Sequence, residues 1–431
     1  MLVTTPRATT ALSSTSAVDS VLMGEDESEP YLNPIPSGLF PEYRPLPLLS
    51  NVPLLLLAAV LGGGGVRRLW HTVAEPSVIP VIKFASRTLA LYSSSYMAIQ
   101  EAFERYRPSR ISVPQLQERY HLLPSQLSRF ERLTSDGQRI HWIQCTGIGD
   151  DVREQQQLDA AVLFHGFGAN CLSWLPCFSA LAQSLSIGTC VAHDSPGFGL
   201  TERGDDFSME GSAKIGTDLL HSTARHKRNV LLIGHSLGAG ATLRMALQLQ
   251  DTADIEKIHV VLVSPVLGRQ NEKAAAKVLS RQPRRRQNPF MATFGPILRF
   301  LLRRTVGRPG FWRKGLQQAF VKQLSASDVL RYQWPSVIQG WEDGLLQWIS
   351  HSRPRNGSNV LEVVSQSPKV SSVSVILGSQ DRVINPQTTA MFLAAYHPTV
   401  KVVEIDGVGH DPMEEDVGTF VAAVRESTTS S

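Results

Sequence analysis

The sequence predicts an α/β protein in which a mostly parallel sheet is covered by helices on both faces. Short apolar runs recur between segments of helical spacing, at residues 159–164, 188–192, 230–233, 373–378 and 402–405. An opening β-hairpin precedes them, because apolar alternation at 130–133 and 140–144 flanks the turn signal Ser135-Asp136-Gly137. The chain has 431 residues, of which 42% are hydrophobic, so it can bury a large core.

The pentapeptide Gly234-His235-Ser236-Leu237-Gly238 lies between an apolar strand and a helical pattern. A serine at such a turn adopts a strained backbone conformation, and the flanking glycines leave room for the chain to reverse. The spacing G-x-S-x-G alone is a weak signal, but its setting here is that of a nucleophile elbow. Ser236 is therefore the candidate nucleophile, and the structural alternative is an ordinary turn serine.

Three further loops follow predicted strands. His165-Gly166-Phe167-Gly168 comes after the strand at 159–164, and its glycines allow main-chain N–H groups to approach a substrate oxygen. Asp381 follows the strand at 373–378, and His410 follows the strand at 402–405. No acid follows the sixth strand near 263–266, which favours Asp381, while Asp406 is expected to stabilise its own loop. The chain order is therefore Ser, Asp, His.

Over residues 128 to 426 these motifs resemble the α/β-hydrolase superfamily. The resemblance implies an α/β-hydrolase fold with an eight-stranded sheet, a helical cap inserted after strand 6, and no cofactor. It implies that Ser236 attacks, that His410 takes and returns the proton, and that Asp381 orients the imidazole. The developing oxyanion would be bound by the backbone N–H groups of Phe167 and Leu237.

Several residues in or beside these motifs are expected to support the site through hydrogen bonds rather than to perform chemistry. They are His165, Gly166, His235, Asp194 and Asn170. His165 and His235 belong to the motifs themselves, and Asp194 follows the strand at 188–192.

The resemblance, with serine as nucleophile, implies hydrolysis of a carboxylic ester or thioester with an apolar acyl group through an acyl-enzyme. The capped layout also resembles the epoxide-hydrolase branch, but serine disfavours the reactions that use an aspartate nucleophile. A C–C bond hydrolase uses the same triad and stays open, as does a low-turnover ligand-binding or membrane-surface protein. Acyltransferases of this fold can carry aspartate five residues after the histidine, whereas Glu415 stands there in this chain, which disfavours that activity.

Composition divides the chain into segments. Residues 1–44 are rich in Ser, Thr, Pro and Gly, with few apolar residues to build a core, and are predicted to be disordered. Residues 45–66 are uncharged and apolar, which suits either a membrane anchor or a hydrophobic segment docked on the enzyme. The remaining predicted segments are a helical extension at 85–127, a hydrolase core at 128–268 and 366–426, a helical basic cap at 269–365, and a disordered tail at 427–431.

The predicted cap is the basic part of the molecule. From Arg269 to Lys314 there are thirteen Lys or Arg residues and one acid, Glu272, a local charge of +12 in a chain whose net charge is +4. Arginines and apolar residues alternate over 294–304, which suits an amphipathic helix on an anionic membrane surface, or a solvated basic face above a buried apolar stripe. Nucleic acid is not expected as a partner, because no recognition motif accompanies the arginines.

Aromatic and aliphatic residues later in the cap are expected either to line an apolar acyl pocket or to be ordinary core. They are Trp334, Trp341, Leu345, Leu346, Trp348 and Ile349. The expected substrate is accordingly a small apolar ester or a lipid-like molecule.

The cysteines indicate a reducing compartment. Cys145, Cys171, Cys177 and Cys190 show neither C-x-x-C spacing nor a zinc pattern with histidines, so we expect free buried thiols and no structural metal. The first eighteen residues contain Arg7 and no acid, a weak signal for a transit peptide, so an organellar location stays open beside other intracellular sites.

Overall fold

A computed structural model of the protein describes residues 128–132, 137–147, 158–204, 206–267, 302, 309–351 and 357–429. The segments predicted at 1–44, 45–66 and 85–127 lie outside the described residues, as does most of the basic stretch from 269 to 308.

The sheet has eight strands in the order β1-β2-β4-β3-β5-β6-β7-β8. Strand β1 pairs antiparallel with β2, and β2 pairs antiparallel with β4, while every pair from β4 to β8 is parallel. This arrangement confirms the predicted fold class and the opening hairpin. The strands are β1 Ser128–Arg132, β2 Arg139–Cys145, β3 Leu158–Phe164, β4 Ile187–His193, β5 Asn229–His235, β6 Lys257–Val263, β7 Val370–Gly378 and β8 Lys401–Ile405.

Helices cover both faces of the sheet, so the central strands β3, β5 and β6 are almost continuously apolar and buried. Within the described residues the helices are α1 Leu175–Ser184, α2 Met209–Thr223, α3 Gly238–Gln248, α4 Pro309–Leu316, α5 Ala326–Gln333, α6 Trp341–His351, α7 Gly357–Ser365, α8 Pro386–Tyr396, α9 Pro412–Glu415 and α10 Val417–Thr429. One apolar cluster packs α1 and α10 on the sheet, and a second packs α2, α3, α7 and α8 on the other face.

The strand order creates a switch point beside β3. The chain crosses from β3 to β4 on one side and then returns to place β5 on the other side. Phe164 pairs with Gly234 at the carboxyl ends of β3 and β5, so the loop after β3 lies next to the turn after β5. Ligands of open α/β sheets bind at such a point, because two loops diverge there and leave a crevice.

The insertion between β6 and α7 contains α4, α5, a 3₁₀ turn at Trp334–Val337, and α6. Trp341, Leu345 and Trp348 belong to a third apolar cluster, which joins the insertion to Phe198 and Phe207 on the hydrolase body. Trp334 instead packs into the first cluster, with the core.

Two predicted boundaries are wrong. The cap was expected to extend to residue 365, but α7 contributes Val360, Leu361 and Val364 to the second core cluster, so the core resumes by 357. The core was expected to end at 426, but α10 continues to Thr429, with Ser427 buried and donating its hydroxyl to Ala423 O at 2.8 Å. The amphipathic pattern of a helix does not show whether it packs against the insertion or against the hydrolase core.

The four cysteines are free thiols, and Cys145 is half-buried while Cys171, Cys177 and Cys190 are buried. Burial raises the pKa of these three buried thiols. None of the helices in the described ranges has the length and hydropathy required to cross a bilayer.

Because His193 at the end of β4 is a buried histidine, we expect the stability of the protein to depend on pH. Its ring packs edge-on against Phe164, and burial, followed by the nearby His165, lowers the pKa of His193 from 6.5 to about 4. Below about pH 6.5 the unfolded chain binds a proton that the folded chain excludes, so the free energy of unfolding falls as pH decreases towards 4. For this residue the loss is about 3 kcal/mol over that window.

Urea unfolding measured over this pH range checks the expectation. His193→Phe should give a shallower decline than the wild type, though not a flat one, because burial also lowers the pKa of His165 and His235. The control His226→Phe replaces an exposed histidine and should keep the wild-type slope. Identical slopes in His193→Phe and the wild type would contradict the assignment.

Candidate active site

Ser236 lies at the turn between β5 and α3 with a backbone φ of 51°, in the left-handed region. Its N–H donates to Val263 O at 2.8 Å, which fixes the turn to the end of β6. The flanking glycines are required by space: a Cβ at Gly234 would lie 2.1 Å from Thr242 Oγ1, and one at Gly238 would lie 2.5 Å from His165 O. The structure thus gives the pentapeptide the geometry of a nucleophile elbow.

Asp381 and His410 are brought together from loops 29 residues apart. His410 Nδ1 and Asp381 Oδ2 are 2.7 Å apart, and both side chains are buried. The other carboxylate oxygen of Asp381 accepts the N–H groups of Val383 at 2.7 Å and Ile384 at 2.8 Å. Because its own turn holds the carboxylate, Asp381 can fix the orientation of the imidazole ring.

The main chain of His410 is held from two directions. Its N–H donates to Ala319 O, in the insertion, at 2.7 Å. Its carbonyl accepts from Nε2 of His235, the residue before Ser236, at 3.0 Å. Burial, and then the neighbouring His410, lowers the pKa of His235 well below its usual value, so His235 is neutral and donates from Nε2. The elbow and the histidine loop are therefore connected directly.

The loop after β3 passes close to the elbow. A Cβ at Gly166 would lie 2.9 Å from His235 Nδ1 and 3.1 Å from the Cβ of Ser236, so only glycine fits there. Among the described residues, the N–H groups of Phe167 and Leu237 have no intramolecular acceptor. Two unpaired donors beside the serine are what an oxyanion site requires.

The supporting residues hold the loops rather than Ser236 itself. His165 accepts the N–H of Ser195 at Nε2 over 2.9 Å, and its Nδ1 bonds to Gly166 O at 2.8 Å. Burial lowers the pKa of His165, which keeps it neutral in this arrangement. Asn170 caps a 3₁₀ turn through Leu172 N, and its amide donates to Arg331 O in α5 at 2.8 Å.

Asp194 is the centre of a buried hydrogen-bond network. It accepts the N–H of Cys171 at 2.7 Å and that of Leu200 at 2.6 Å, and His141 Nδ1 lies 2.6 Å from Oδ2. Burial opposes the charge, but His141 holds the pKa of Asp194 below its usual value. A Cβ at Gly199 would collide with this carboxylate at 2.0 Å, which explains the glycine.

The same network contains three groups that could ligate a metal ion. The candidate ligand atoms of His141, Cys171 and Asp194 lie within 4.8 Å of one another. Both oxygens of Asp194 already accept main-chain hydrogen bonds, and the raised pKa of Cys171 keeps its thiol protonated. His141 Nε2 is also bonded, to Ser128 Oγ at 2.9 Å. These contacts fit a hydrogen-bond network better than a metal centre.

The comparison with family models covers the same elements. The model described as "Alpha/beta hydrolase family" matches residues 161–424, more than half of the chain. The chain belongs to the alpha/beta hydrolase family. No curated protein matches the chain by sequence.

Solved structures with a similar fold include three of bacterial origin. An alpha/beta hydrolase fold protein from Burkholderia ambifaria is 19% identical, with a TM-score of 0.47 over 70% of this chain and 97% of its own. A bromoperoxidase from Bacillus anthracis is 18% identical, with a TM-score of 0.49 over 69% and 98%. The 2-hydroxy-6-oxo-6-phenylhexa-2,4-dienoate hydrolase from Rhodococcus sp. strain RHA1 is 18% identical, with a TM-score of 0.49 over 70% and 98%.

Sequence reasoning missed the residues that connect the insertion of this hydrolase-family chain to the His410 loop. Glu415 accepts Gly409 N at 2.8 Å with one oxygen, and with the other it accepts Val321 N at 2.7 Å and Lys322 N at 3.1 Å. A Cβ at Gly409 would lie 2.4 Å from Ala319 O, so this approach requires glycine. The sequence position of Glu415 drew attention only as a departure from the acyltransferase pattern.

A buried ionic contact makes a second connection. Arg331 and Tyr332 of α5 both donate to the carboxylate of Glu414, which is buried in α9, and Arg331 also donates to Asp328 at 2.9 Å. Burial opposes the charge of Arg331, but Glu414 holds the pKa of Arg331 above the usual value.

Asp406 was expected to stabilise its own loop. In the structure it instead accepts the hydroxyl of Ser379 at 3.0 Å, from the loop after β7.

Three aromatic rings form a wall beside the loop after β3, and we call Phe167, Phe198 and Trp348 the aromatic wall. The ring centroids are 5.8 Å apart for Phe167 and Phe198, 5.3 Å for Phe167 and Trp348, and 5.2 Å for Phe198 and Trp348. Phe167 is 47% exposed although it packs on two rings. Arg203 holds the loop of Phe198 by donating to Phe198 O at 3.0 Å.

Glu415→Gln tests the connection between the insertion and the His410 loop. An amide offers one acceptor oxygen, so either Gly409 N or the N–H groups of Val321 and Lys322 lose their partner. Losing a charge-assisted hydrogen bond costs about 1.5–3 kcal/mol, so amide hydrogen exchange in peptides covering these residues should accelerate at least about tenfold. Glu404→Gln, an exposed change on β8, is the control and should leave these rates unchanged. Unchanged exchange in Glu415→Gln would show that the carboxylate does not hold the two segments.

Proposed function

We propose that this protein is a serine hydrolase that cleaves a carboxylic ester or thioester with an apolar acyl group. The observation that carries the proposal is the contact between His410 and Asp381, with the main chain of His410 bonded to the residue before Ser236. A serine at a left-handed elbow, a histidine and an orienting carboxylate are the parts that nucleophilic acyl transfer requires.

In the proposed acylation step, His410 Nε2 accepts the proton of the Ser236 hydroxyl as Oγ attacks the carbonyl carbon. The carbonyl oxygen becomes an oxyanion and receives the N–H groups of Phe167 and Leu237, which have no acceptor among the described residues. Collapse of this intermediate breaks the bond to the alkoxide or thiolate, and His410 returns the proton to that leaving group. Asp381 stabilises the imidazolium throughout, since it bonds to Nδ1 at 2.7 Å.

Deacylation uses the same groups in reverse. Water loses a proton to His410 as its oxygen attacks the acyl carbon, and the proton is then delivered to Oγ of Ser236 when the acid leaves. Both oxygens of Asp381 remain hydrogen-bonded, so the carboxylate need not move between steps.

The aromatic wall supports an apolar acyl group as the substrate. Phe167 carries both a proposed oxyanion donor and one of the three rings, so an acyl chain bound beside the oxyanion would meet Phe198 and Trp348. Trp348 lies in α6 and belongs to the third apolar cluster, which includes Trp341 and Leu345 of the same helix. Burial of an acyl chain against these rings is favourable by about 25 cal/mol for each Å² removed from water.

The proposed nucleophile is tested by labelling with a fluorophosphonate probe and by hydrolysis of p-nitrophenyl esters. Ser236→Ala should abolish labelling and lower kcat by about 10,000-fold or more, because the attacking oxygen is removed. Ser264→Ala is a matched control, since Ser264 directly follows β6, is buried and also has a positive φ, of 43°. Labelling that persists in Ser236→Ala would overturn the assignment. A folded wild type that neither labels nor turns over would favour the ligand-binding alternative.

The aromatic wall is tested by Trp348→Ala with a series of esters of increasing acyl length. Loss of two ring contacts and of apolar surface should lower kcat/KM about tenfold for long or aromatic acyl groups, and little for acetate. Tyr396→Ala removes an exposed ring at the end of α8 and is the matched control. An equal loss for acetate and for long acyl groups would mean that Trp348 supports the fold rather than the substrate.

A further inference from the structure

A pocket of about 700 Å³ opens between α4 and the loop that follows β7. Its lining residues from the insertion recur at intervals of three and four, so they share one side of the helical stretch. Arg382 closes the pocket from the other segment. The lining consists of Gly310, Arg313, Lys314, Gln317, Gln318 and Arg382.

The lining carries three positive charges and no carboxylate. Within the described ranges, Arg313, Lys314 and Arg382 are all exposed, and none of them forms an ion pair. Basic residues in the last turn of a helix are favoured by the helix dipole, which accounts for Arg313 and Lys314. The dipole does not account for Arg382, which reaches the same pocket from a separate loop. Like charges gathered without a counter-charge repel one another until an anion binds.

One wall of the pocket is anchored. The amide of Gln317 donates to Lys322 O at 2.9 Å and to Phe320 O at 3.3 Å, which folds residues 317–322 into a fixed turn. Ala319 in that turn accepts the N–H of His410 at 2.7 Å. The other wall is Arg382, which directly follows Asp381. The pocket is therefore built from the two segments that hold the candidate acid and histidine.

We propose that this pocket binds a phosphate group, either as a free phosphate or as the headgroup of an amphiphile. Arginine binds phosphate oxygens through two parallel N–H donors, and lysine adds a compact charge. Two guanidinium groups and one ammonium match a group that carries up to two negative charges. Exposed apolar side chains lie near the charges in the sequence, Val383 directly after Arg382 and Phe311 two positions before Arg313, as an amphiphile would require.

The test compares the full-length protein with the variant Arg313→Gln, Lys314→Gln, Arg382→Gln. A control variant, Arg225→Gln, Lys257→Gln, Arg425→Gln, removes the same charge from exposed positions elsewhere. Calorimetric titration with inorganic phosphate is one arm, and flotation with phosphatidylcholine vesicles with and without phosphatidic acid is the other, at constant ionic strength.

The pocket variant should lose at least about tenfold in affinity, and the control less than about twofold. Loss in the phosphate arm identifies a free phosphate group, and loss confined to the phosphatidic acid vesicles identifies a lipid headgroup. Equal weakening of binding in the pocket variant and the control variant would show that net charge alone explains the affinity, which would overturn the proposal. Wild type that binds neither probe, or a pocket variant that binds both probes as the wild type does, would also overturn it. The test measures binding, so its outcome is independent of the role of Ser236.

Discussion

The placement of His410 depends on hydrogen bonds made by its own main chain. The contact with Asp381 fixes one ring nitrogen, but the position of the ring in space follows the loop that carries it. Ala319 O holds the N–H of that loop, and His235 holds its carbonyl. Because His235 precedes Ser236, the proposed nucleophile and the proposed base share one set of contacts. A displacement of about 1 Å at a catalytic centre can cost about a hundredfold in rate, so this coupling matters more than its few hydrogen bonds suggest.

The insertion is oriented on the hydrolase body by charge as well as by apolar packing. Asp328 closes a capping box with Ser325 at the start of α5, and it also receives Arg331. Arg331 in turn pairs with Glu414, which is buried. A buried pair adds little net stability, but separating the partners leaves an uncompensated charge and costs several kcal/mol. Other orientations of α5 on α9 would separate this pair and are therefore unfavourable. Helix α9 begins two residues after His410, so the pair also holds the insertion close to the His410 loop.

Much of the candidate site could be predicted from the sequence because its signals are local. Apolar runs mark β3, β5, β6 and β7, and the glycines around Ser236 are required by contacts within a few residues or with the adjacent loop. The chain order of Ser236, Asp381 and His410 could be predicted because each residue follows the end of a predicted strand. The family match and the parallel sheet confirm the predicted family and fold.

The contacts between the insertion and the core could not be predicted, because the partners lie far apart in the chain. Val321 and Glu415 are separated by 94 positions, and nothing near either residue signals the other. For the same reason Trp334 and Trp348 looked alike in the sequence, although one packs into the sheet core and the other into the third cluster. Helix α7 has an apolar stripe that fits either body, and only the fold assigns it to the core.

One stretch of the insertion, residues 317–322, contributes to several of these features at once. It lines the cationic pocket through Gln317, accepts the N–H of His410 at Ala319 O, and donates to Glu415 from the N–H groups of Val321 and Lys322. Each of these hydrogen bonds contributes about 0.5–1.5 kcal/mol net, and together they hold the stretch in one position. The backbone that forms one wall of the cationic pocket therefore also fixes the main chain of His410.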